Sequence, residues 1–382
     1  MQQKPKVSES ALLVSIDFGD ADYRESLEEL RLLAETAGVH TLATLEARRL
    51  RPDAALFAGS GKVLEIAEMV ERMEIPLVIF NHDLSPAQMR NLTVKLNTRV
   101  IDRTMLILDI FAQRAQSHEG KVQVELAQLK YLATRLVGLN TDMGQQKFAV
   151  GARGPGETQL ELDRRKLDKR VHLLKERLEK LKHQRDVQRR SRNRSGVFSV
   201  SIVGYTNAGK STLFNRLTKA NVYVANQLFA TLDTTSRKMF TEGEGEIVVS
   251  DTVGFIRHLP HSLVAAFRST LEETVQADLL LHVVDASNPN RDDQIVEVNK
   301  VLSEIDAGVI PQMLVFNKVD LTDMPPGVER DEYGRIARVF LSAKSGAGLD
   351  ELRLVLSEAR DAKLAAEHIE NQIKQARNEP WD

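Results

Sequence analysis

The stretch VFSVSIVGYTNAGKSTLFNRL, residues 197 to 217, constrains the fold of this chain more than any other feature. An apolar run typical of a buried strand leads directly into GxxxxGKS at 204 to 211, and a helical pattern follows. In that context the backbone N–H groups of the loop and the N-terminus of the helix wrap phosphate groups. We therefore predict an α/β fold: a P-loop domain with a mostly parallel sheet and flanking helices.

The residues of this loop, and two short segments that follow it, have separate expected roles. Lys210 is expected to reach the β- and γ-phosphate oxygens, and Ser211 to ligate Mg²⁺. Asp251 ends the strand pattern EIVVS, where it is expected to hold a water on the same ion, and the N–H of Gly254 is expected to bind the γ-phosphate. A threonine should complete the metal shell only when the γ-phosphate is present; the candidates are Thr231, Thr234 and Thr235.

The identity of the nucleotide base is predicted from NKVD at 317 to 320, which follows the buried pattern MLVF. The carboxylate of Asp320 accepts from both N1–H and the 2-amino group of guanine, and adenine offers neither. A site built on such paired hydrogen bonds rejects the wrong base by about 10⁴. We therefore expect GTP as substrate and GDP as product. Asn317 is expected to brace the base and phosphate loops, the stem of Lys318 to lie over the ring, and the backbone of SAK at 342 to 344 to contact guanine O6.

The first half of the chain has a different pattern. Residues 11 to 101 alternate short apolar runs with helical patterns, which predicts a small α/β domain with a mostly parallel sheet. Its AGSGK at 58 to 62 lacks the first glycine of the phosphate-loop spacing, so we interpret it as the start of a helix. The predicted boundaries are 1–102 for this domain, 103–194 for a helical region, 197–362 for the G domain and 363–382 for a C-terminal helix and tail.

The helical region is predicted to be an antiparallel hairpin because it has two heptad seams separated by a loop. The first seam is Val122, Leu126, Leu129, Ala133 and Leu136, and the second is Leu167, Val171, Leu174, Leu178 and Leu181. The loop at 138–156 is rich in glycine and carries Lys147, Phe148 and Arg153, a set suited to RNA phosphates and unpaired bases; a disordered tip is the alternative.

Charge is unevenly distributed along the chain. Residues 164 to 194 hold 14 Lys or Arg against 4 Asp or Glu, a local charge of +10, so the rest of the chain sums to −12. Such a basic arm favours contact with polyanions, although a solvated helix surface has the same composition. The chain has no cysteine and no apolar run long enough for a membrane span, from which we expect a cytoplasmic protein with no membrane span.

Together these segments resemble the HflX family of translational GTPases. The matching residues are GARGPGETQLELDRR at 151 to 165, GYTNAGKSTLFN at 204 to 215, FATLD at 229 to 233, DTVGFIRHLP at 251 to 260, and NKVD. The resemblance implies a protein that binds the large ribosomal subunit and its RNA and dissociates or rescues ribosomes under stress. We expect the protein to be a monomer. The resemblance also selects Thr231 as the metal-shell threonine. An asparagine at Asn207 resembles relatives that bind K⁺, and a hydrogen bond that only braces the loop is the alternative role of this side chain.

The expected site is therefore extensive. The catalytic residues are expected to be Lys210, Asn207, Thr231 and Gly254, and the Mg²⁺ ligands Ser211, Thr231 and, through water, Asp251. The full nucleotide site is expected to comprise Gly204, Tyr205, Thr206, Asn207, Ala208, Gly209, Lys210, Ser211, Thr212, Phe229, Ala230, Thr231, Leu232, Asp233, Asp251, Thr252, Val253, Gly254, Asn317, Lys318, Val319, Asp320, Ser342, Ala343 and Lys344.

One position departs from the Ras-type pattern. Phe255 follows DTVG where a glutamine would orient the attacking water, so we expect slow turnover that ribosomes stimulate, with packing as the alternative role of this side chain. Arg153 is a further candidate at the nucleotide, and His258 and His261 are assigned no metal. The competing function is an RNA-binding ribosome assembly factor whose nucleotide is structural or regulatory; an ATP-driven helicase fits less well because Asp320 disfavours adenine.

Overall fold

The structure is a computed structural model that describes residues 9–137, 155–193, 197–219, 227–240, 245–257 and 271–378. The chain divides into two compact units, and the division between them falls after Gln184.

The first unit contains a parallel sheet of four strands. These are β1 (Ser10–Asp17), β2 (His40–Arg48), β3 (Leu77–Phe80) and β4 (Arg99–Ile101), in the order β2-β1-β3-β4. The connecting helices are α1 (Tyr23–Thr36), α2 (Ser60–Arg72) and α3 (Pro86–Leu96). The continuous apolar runs are buried because both faces of such a sheet are covered. The prediction of a small α/β domain with a parallel sheet is thereby confirmed.

The AGSGK segment begins a helix, as predicted from the sequence. Gly59 is the residue before α2 and has a φ of +82°, a conformation that L side chains adopt rarely. A Cβ at this position would also lie 2.1 Å from Nη1 of Arg49, which donates a hydrogen bond to the carbonyl of Ala58 at 2.9 Å. Gly59 is thus required by local geometry.

Two long helices follow α4 (Arg103–Arg114): α5 (His118–Val137) and α6 (Pro155–Asn193). Val122, Leu126 and Leu174 are buried between α5 and α6, and Leu129, Val171 and Leu178 pack around them. The heptad seams therefore form the core of a helical hairpin, as predicted. The loop residues Lys147, Phe148 and Arg153 lie outside the described part of the chain.

The basic residues of α6 between 164 and 184 lie on its surface. From residue 164 to residue 184 every Lys and Arg is exposed, and Arg170 pairs with Glu125 of α5 at 2.6 Å. Leu174 of the same helix is 2% exposed, so one stripe of the helix packs inward while these basic side chains remain outside.

The second unit contains a sheet of seven strands in the order β10-β11-β9-β8-β5-β7-β6. The strands are β5 (Phe198–Gly204), β6 (Thr235–Phe240), β7 (Glu246–Asp251), β8 (Leu279–Asp285), β9 (Gln312–Asn317), β10 (Gly327–Arg330) and β11 (Ile336–Phe340). The five strands from β11 to β7 are parallel, and β6 and β10 are antiparallel edges. The helices are α7 (Lys210–Thr218), α8 (Glu272–Val275), α9 (Arg291–Glu304) and α10 (Leu349–Asn378).

One apolar core joins this sheet to α7 and to the first half of α10. The core includes Val200, Ile202 and Leu281 of the central strands, Leu213 of α7 and Leu352 of α10. Because β5, β7, β8 and β9 are parallel, their carboxyl ends meet at one edge of the sheet, where ligands bind in folds of this class. In the described ranges of the chain, no helix has the length and apolarity required to span a bilayer.

Candidate nucleotide-binding site

The phosphate loop joins the end of β5 to the start of α7. Gly204, Asn207 and Gly209 have φ values of +145°, +59° and +93°, so the loop turns through conformations that glycine and asparagine accept most readily. A Cβ on Gly209 would lie 2.2 Å from Nδ2 of Asn317, and one on Gly204 would lie 2.2 Å from the carbonyl oxygen of Val283. The glycines therefore permit a close approach between this loop and two neighbouring strands.

Lys210 is enclosed at the start of α7. Its side chain is buried, and Nζ donates to the carbonyl of Tyr205 at 2.7 Å. Burial lowers the pKa of Lys210 to about 8, and the opposing attraction of Asp251 offsets this only in part. A phosphate anion beside the ammonium would favour its charged form. The site is thus arranged so that binding of an anion relieves the cost of burying this charge.

Three oxygen atoms from separate segments meet beside Lys210. Ser211 Oγ lies 2.7 Å from both Thr231 Oγ1 and Asp251 Oδ2, and Thr231 Oγ1 donates to the same carboxylate oxygen at 2.9 Å. Asp251 is fully buried, and burial raises its pKa. Within the described ranges its other oxygen, Oδ1, has no hydrogen-bond partner.

This oxygen cluster fits a magnesium ion. Hydroxyl and carboxylate oxygens are the ligands that Mg²⁺ uses beside phosphates, and a buried carboxylate oxygen with no partner is suited to a water on such an ion. Of the three candidate threonines, the structure places Thr231 in the cluster, while Thr235 begins β6 and pairs with Asp251 through the backbone. No group of three or more His, Asp or Glu side chains in the described residues forms another metal site.

The base end of the site is braced by one side chain. Asn317, which is 2% exposed, donates from Nδ2 to the carbonyl of Ala208 at 2.8 Å and accepts at Oδ1 from the N–H of Ala343 at 2.9 Å. It therefore links the phosphate loop to the SAK segment, as predicted from the sequence. Lys318 has a φ of +67° and its Nζ pairs with Asp285 at 2.7 Å, while Asp320 is exposed to the cavity.

A cavity of about 300 Å³ lies between the phosphate loop and the base loops. The predicted residues that line it are Thr206, Asn207, Gly209, Lys210, Ser211, Thr212, Phe229, Ala230, Thr231, Thr252, Gly254, Asn317, Lys318, Asp320, Ala343 and Lys344. The predicted residues that do not line it are Gly204, Tyr205, Ala208, Leu232, Asp233, Asp251, Val253, Val319 and Ser342. Asp251 supports the wall indirectly, because it accepts hydrogen bonds from Ser211 and Thr231, which line the cavity.

Two residues that were not predicted also line the cavity, Gln227 and Leu321. Leu321 directly follows NKVD, and Gln227 precedes the LFATLD segment, so proximity to known motifs was the only signal in the sequence. The histidines at 258 and 261 lie outside the described residues.

Phe255 is part of the protein interior. It is 1% exposed, and its backbone N–H donates to Gly204 at 3.1 Å while its carbonyl accepts from Thr206 at 2.7 Å. These backbone hydrogen bonds attach the segment after Gly254 to the phosphate loop, and the apolar ring lies in the interior. It supplies no group that can hydrogen-bond to a water.

Comparison with known proteins places these features in a family. Residues 24–112 match the family model "GTP-binding GTPase N-terminal", 114–192 match "GTP-binding GTPase Middle Region", and 199–318 match "50S ribosome-binding GTPase". GTPase HflX of Escherichia coli (strain K12) is 54% identical over 358 residues, 94% of this chain and 84% of that protein. GTPase HflX of Caldanaerobacter subterraneus subsp. tengcongensis is 47% identical over 92% of this chain and 81% of that protein.

Among solved structures, the SsGBP and GDP complex is 25% identical, with a TM-score of 0.53 over 93% of this chain and 99% of that chain. The strength of the sequence match, its extent and the intact phosphate loop lead to one conclusion. This chain is a GTP-hydrolysing enzyme and belongs to the HflX family of GTPases.

Proposed function

We propose that this enzyme is a switch that binds the large ribosomal subunit in its GTP state and promotes ribosome dissociation or rescue. The observation that carries the switch is the contact of Thr231 with Ser211 and Asp251, because it joins three separate segments at one point. The partner is supported by the match of residues 199–318 to a family described as 50S ribosome-binding.

Mg²⁺ would be held by Ser211 and Thr231 directly and by Asp251 through water, and when bound it neutralises charge on the phosphates. Lys210 adds a positive charge that is already positioned and desolvated, so little reorganisation is needed during phosphoryl transfer. Gly254 fits closely: a Cβ there would lie 2.9 Å from Nζ of Lys210. Its N–H is proposed to bind the γ-phosphate.

Loss of the γ-phosphate removes one interaction that stabilises the position of Thr231. The segment that carries Thr231 is then bound less tightly to the phosphate loop, so the nucleotide state determines the conformation of this segment. A ligand shifts such an equilibrium only by its difference in affinity for the two states. Ribosome affinity must therefore differ between GTP and GDP.

Turnover is proposed to be slow in the isolated protein. The ring of Phe255 is buried and apolar, so the group that orients water must come from elsewhere. We propose that ribosome contact supplies it by rearranging the switch segments. Asn207 lines the cavity and is the proposed contact for a K⁺ ion, which a comparison of hydrolysis rates in potassium and sodium tests directly.

The exposed positive charge of α6 is the proposed contact with ribosomal RNA. Polyanion binding through such a surface weakens steeply with salt because it releases counterions. We further propose that the protein acts as a cytoplasmic monomer.

The test measures affinity for large subunits in the presence of a non-hydrolysable GTP analogue and of GDP, followed by sucrose-gradient profiles of ribosomes with and without protein and GTP. The switch requires tighter binding with the analogue and an increase in free subunits. Equal affinities, with no change in the profile, favour the assembly factor whose nucleotide is structural. The matched control is Ser303→Ala, on the surface of α9, which should leave both measurements unchanged.

A further inference from the structure

Arg216 connects the helix of the phosphate loop to the segment that contacts the base. It lies in α7, and its Nε donates to the carbonyl of Ala343 at 3.1 Å while Nη2 donates to the carbonyl of Lys344 at 2.7 Å. Both carbonyls belong to the SAK segment, which is 127 and 128 residues away along the chain. A planar guanidinium is suited to such paired contacts because its donors have a fixed geometry.

The orientation of one peptide group follows from these contacts. The carbonyl of Ala343 and the N–H of Lys344 belong to the same planar, trans peptide unit, so they point in opposite directions. When Arg216 holds the carbonyl on one side, the N–H of Lys344 is directed to the other side. The guanidinium also polarises this peptide and makes its N–H a stronger donor.

The N–H of Lys344 is the available donor in this segment. The N–H of Ala343 already donates to Asn317 at 2.9 Å. Among the residues that the structure describes, none accepts a hydrogen bond from the N–H of Lys344, although Lys344 lines the nucleotide cavity. A guanine in that cavity presents O6, an acceptor that adenine lacks.

The backbone of Arg216 is itself held in place. Arg353 of α10 donates from Nη2 to the carbonyl of Arg216 at 3.1 Å, and its Nη1 pairs with Asp350 at 2.8 Å. The end of α7 is thus attached to the helix that follows the SAK segment. The arrangement keeps the guanidinium beside Ala343 and Lys344.

We infer that Arg216 is a specificity-determining positioning residue that directs the N–H of Lys344 to guanine O6. This inference rests on the proposed position of the guanine base beside the SAK segment. It assigns Arg216 no contact with the nucleotide, since it acts through the peptide that it holds.

The test compares two nucleotides and three variants. GDP has O6, whereas 2-aminopurine riboside 5′-diphosphate keeps the 2-amino group but lacks both the oxygen at position 6 and the N1–H. Arg216→Ala should bind GDP about fivefold more weakly, as expected for loss of one well-oriented hydrogen bond, while affinity for the analogue changes less than twofold. Arg216→Lys, which can reach one carbonyl only, should fall between wild type and Arg216→Ala for GDP.

Arg330→Ala is the matched control, because Arg330 pairs with Glu358 in the same unit at 2.9 Å and should leave both affinities unchanged. An equal loss of affinity for both nucleotides in the Arg216 variants overturns the inference and assigns Arg216 a general structural role. Unchanged GDP affinity in the folded Arg216→Lys and Arg216→Ala proteins overturns it also. If the wild-type protein binds ADP as tightly as GDP, the proposed guanine site itself is wrong.

Discussion

The brace formed by Asn317 gives the sharpest prediction about the stability of the site. Asn317→Ala removes two buried hydrogen bonds, of 2.8 and 2.9 Å, and leaves the carbonyl of Ala208 and the N–H of Ala343 without partners. A buried polar group that loses its partner costs about 1–3 kcal/mol, so two such groups cost about 2–6 kcal/mol. We take about 3 kcal/mol as the expected loss in the nucleotide-free protein.

Hydrogen exchange measured by mass spectrometry is a suitable assay, because it reports each part of the chain separately. A loss of about 3 kcal/mol should accelerate exchange in peptides from β5 and β9 by about 100-fold, given that 1.4 kcal/mol corresponds to a factor of ten. Peptides from β1 and β3, in the other unit, provide an internal control and should exchange at the wild-type rate.

Asn299→Ala is the matched variant. Asn299 lies in α9, and its side-chain oxygen has no hydrogen-bond partner within the described residues, so the substitution should change stability by less than about 0.5 kcal/mol. The reasoning is refuted if Asn317→Ala exchanges as slowly as Asn299→Ala. In that case the two hydrogen bonds would contribute nothing to holding the loops together.

Three further predictions concern the phosphate end of the site. In calorimetry, Thr231→Ala should bind a GTP analogue with Mg²⁺ about tenfold more weakly and bind GDP with unchanged affinity. The reason is that the hydroxyl is proposed to act only with a γ-phosphate; an equal loss of affinity for both nucleotides would contradict that role. Burial lowers the pKa of Lys210 to about 8 from the ordinary value of 10.5, so on titration the ammonium loses its proton at lower pH in the folded protein than in the unfolded chain. The nucleotide-free protein should therefore become more stable as pH rises from about 8 toward 10.5. Thermal unfolding of Lys210→Met should lack that increase, and a wild-type curve that is flat or falls over this range would show the sign to be wrong. Phe255→Gln should lower the melting temperature, because it places an amide in an apolar position that is 1% exposed. The same variant should not hydrolyse GTP faster than the wild type; a faster rate would show that the position needs only a hydrogen-bonding group.

The sequence by itself determined those structural features that depend on residues close together along the chain. The buried strand, the glycine-containing turn and the helix around Lys210 were predictable because backbone conformation and phosphate chemistry fix the residue types at consecutive positions. The heptad seams predicted the packing of Val122 against Leu174 for the same reason, since a helix repeats its contacts at a regular interval. The family also followed from motifs of this kind.

Tertiary structure alone decided which distant residues meet. The hydrogen bonds that Thr231 makes with Ser211 and Asp251, the burial of Phe255 and the contact of Arg216 with a segment 127 residues later depend on where parallel strands bring their carboxyl ends. No periodic pattern in the sequence indicates which of these distant residues come into contact. The lowered pKa of Lys210 has the same origin, because desolvation depends on burial of a side chain among residues that are distant along the chain.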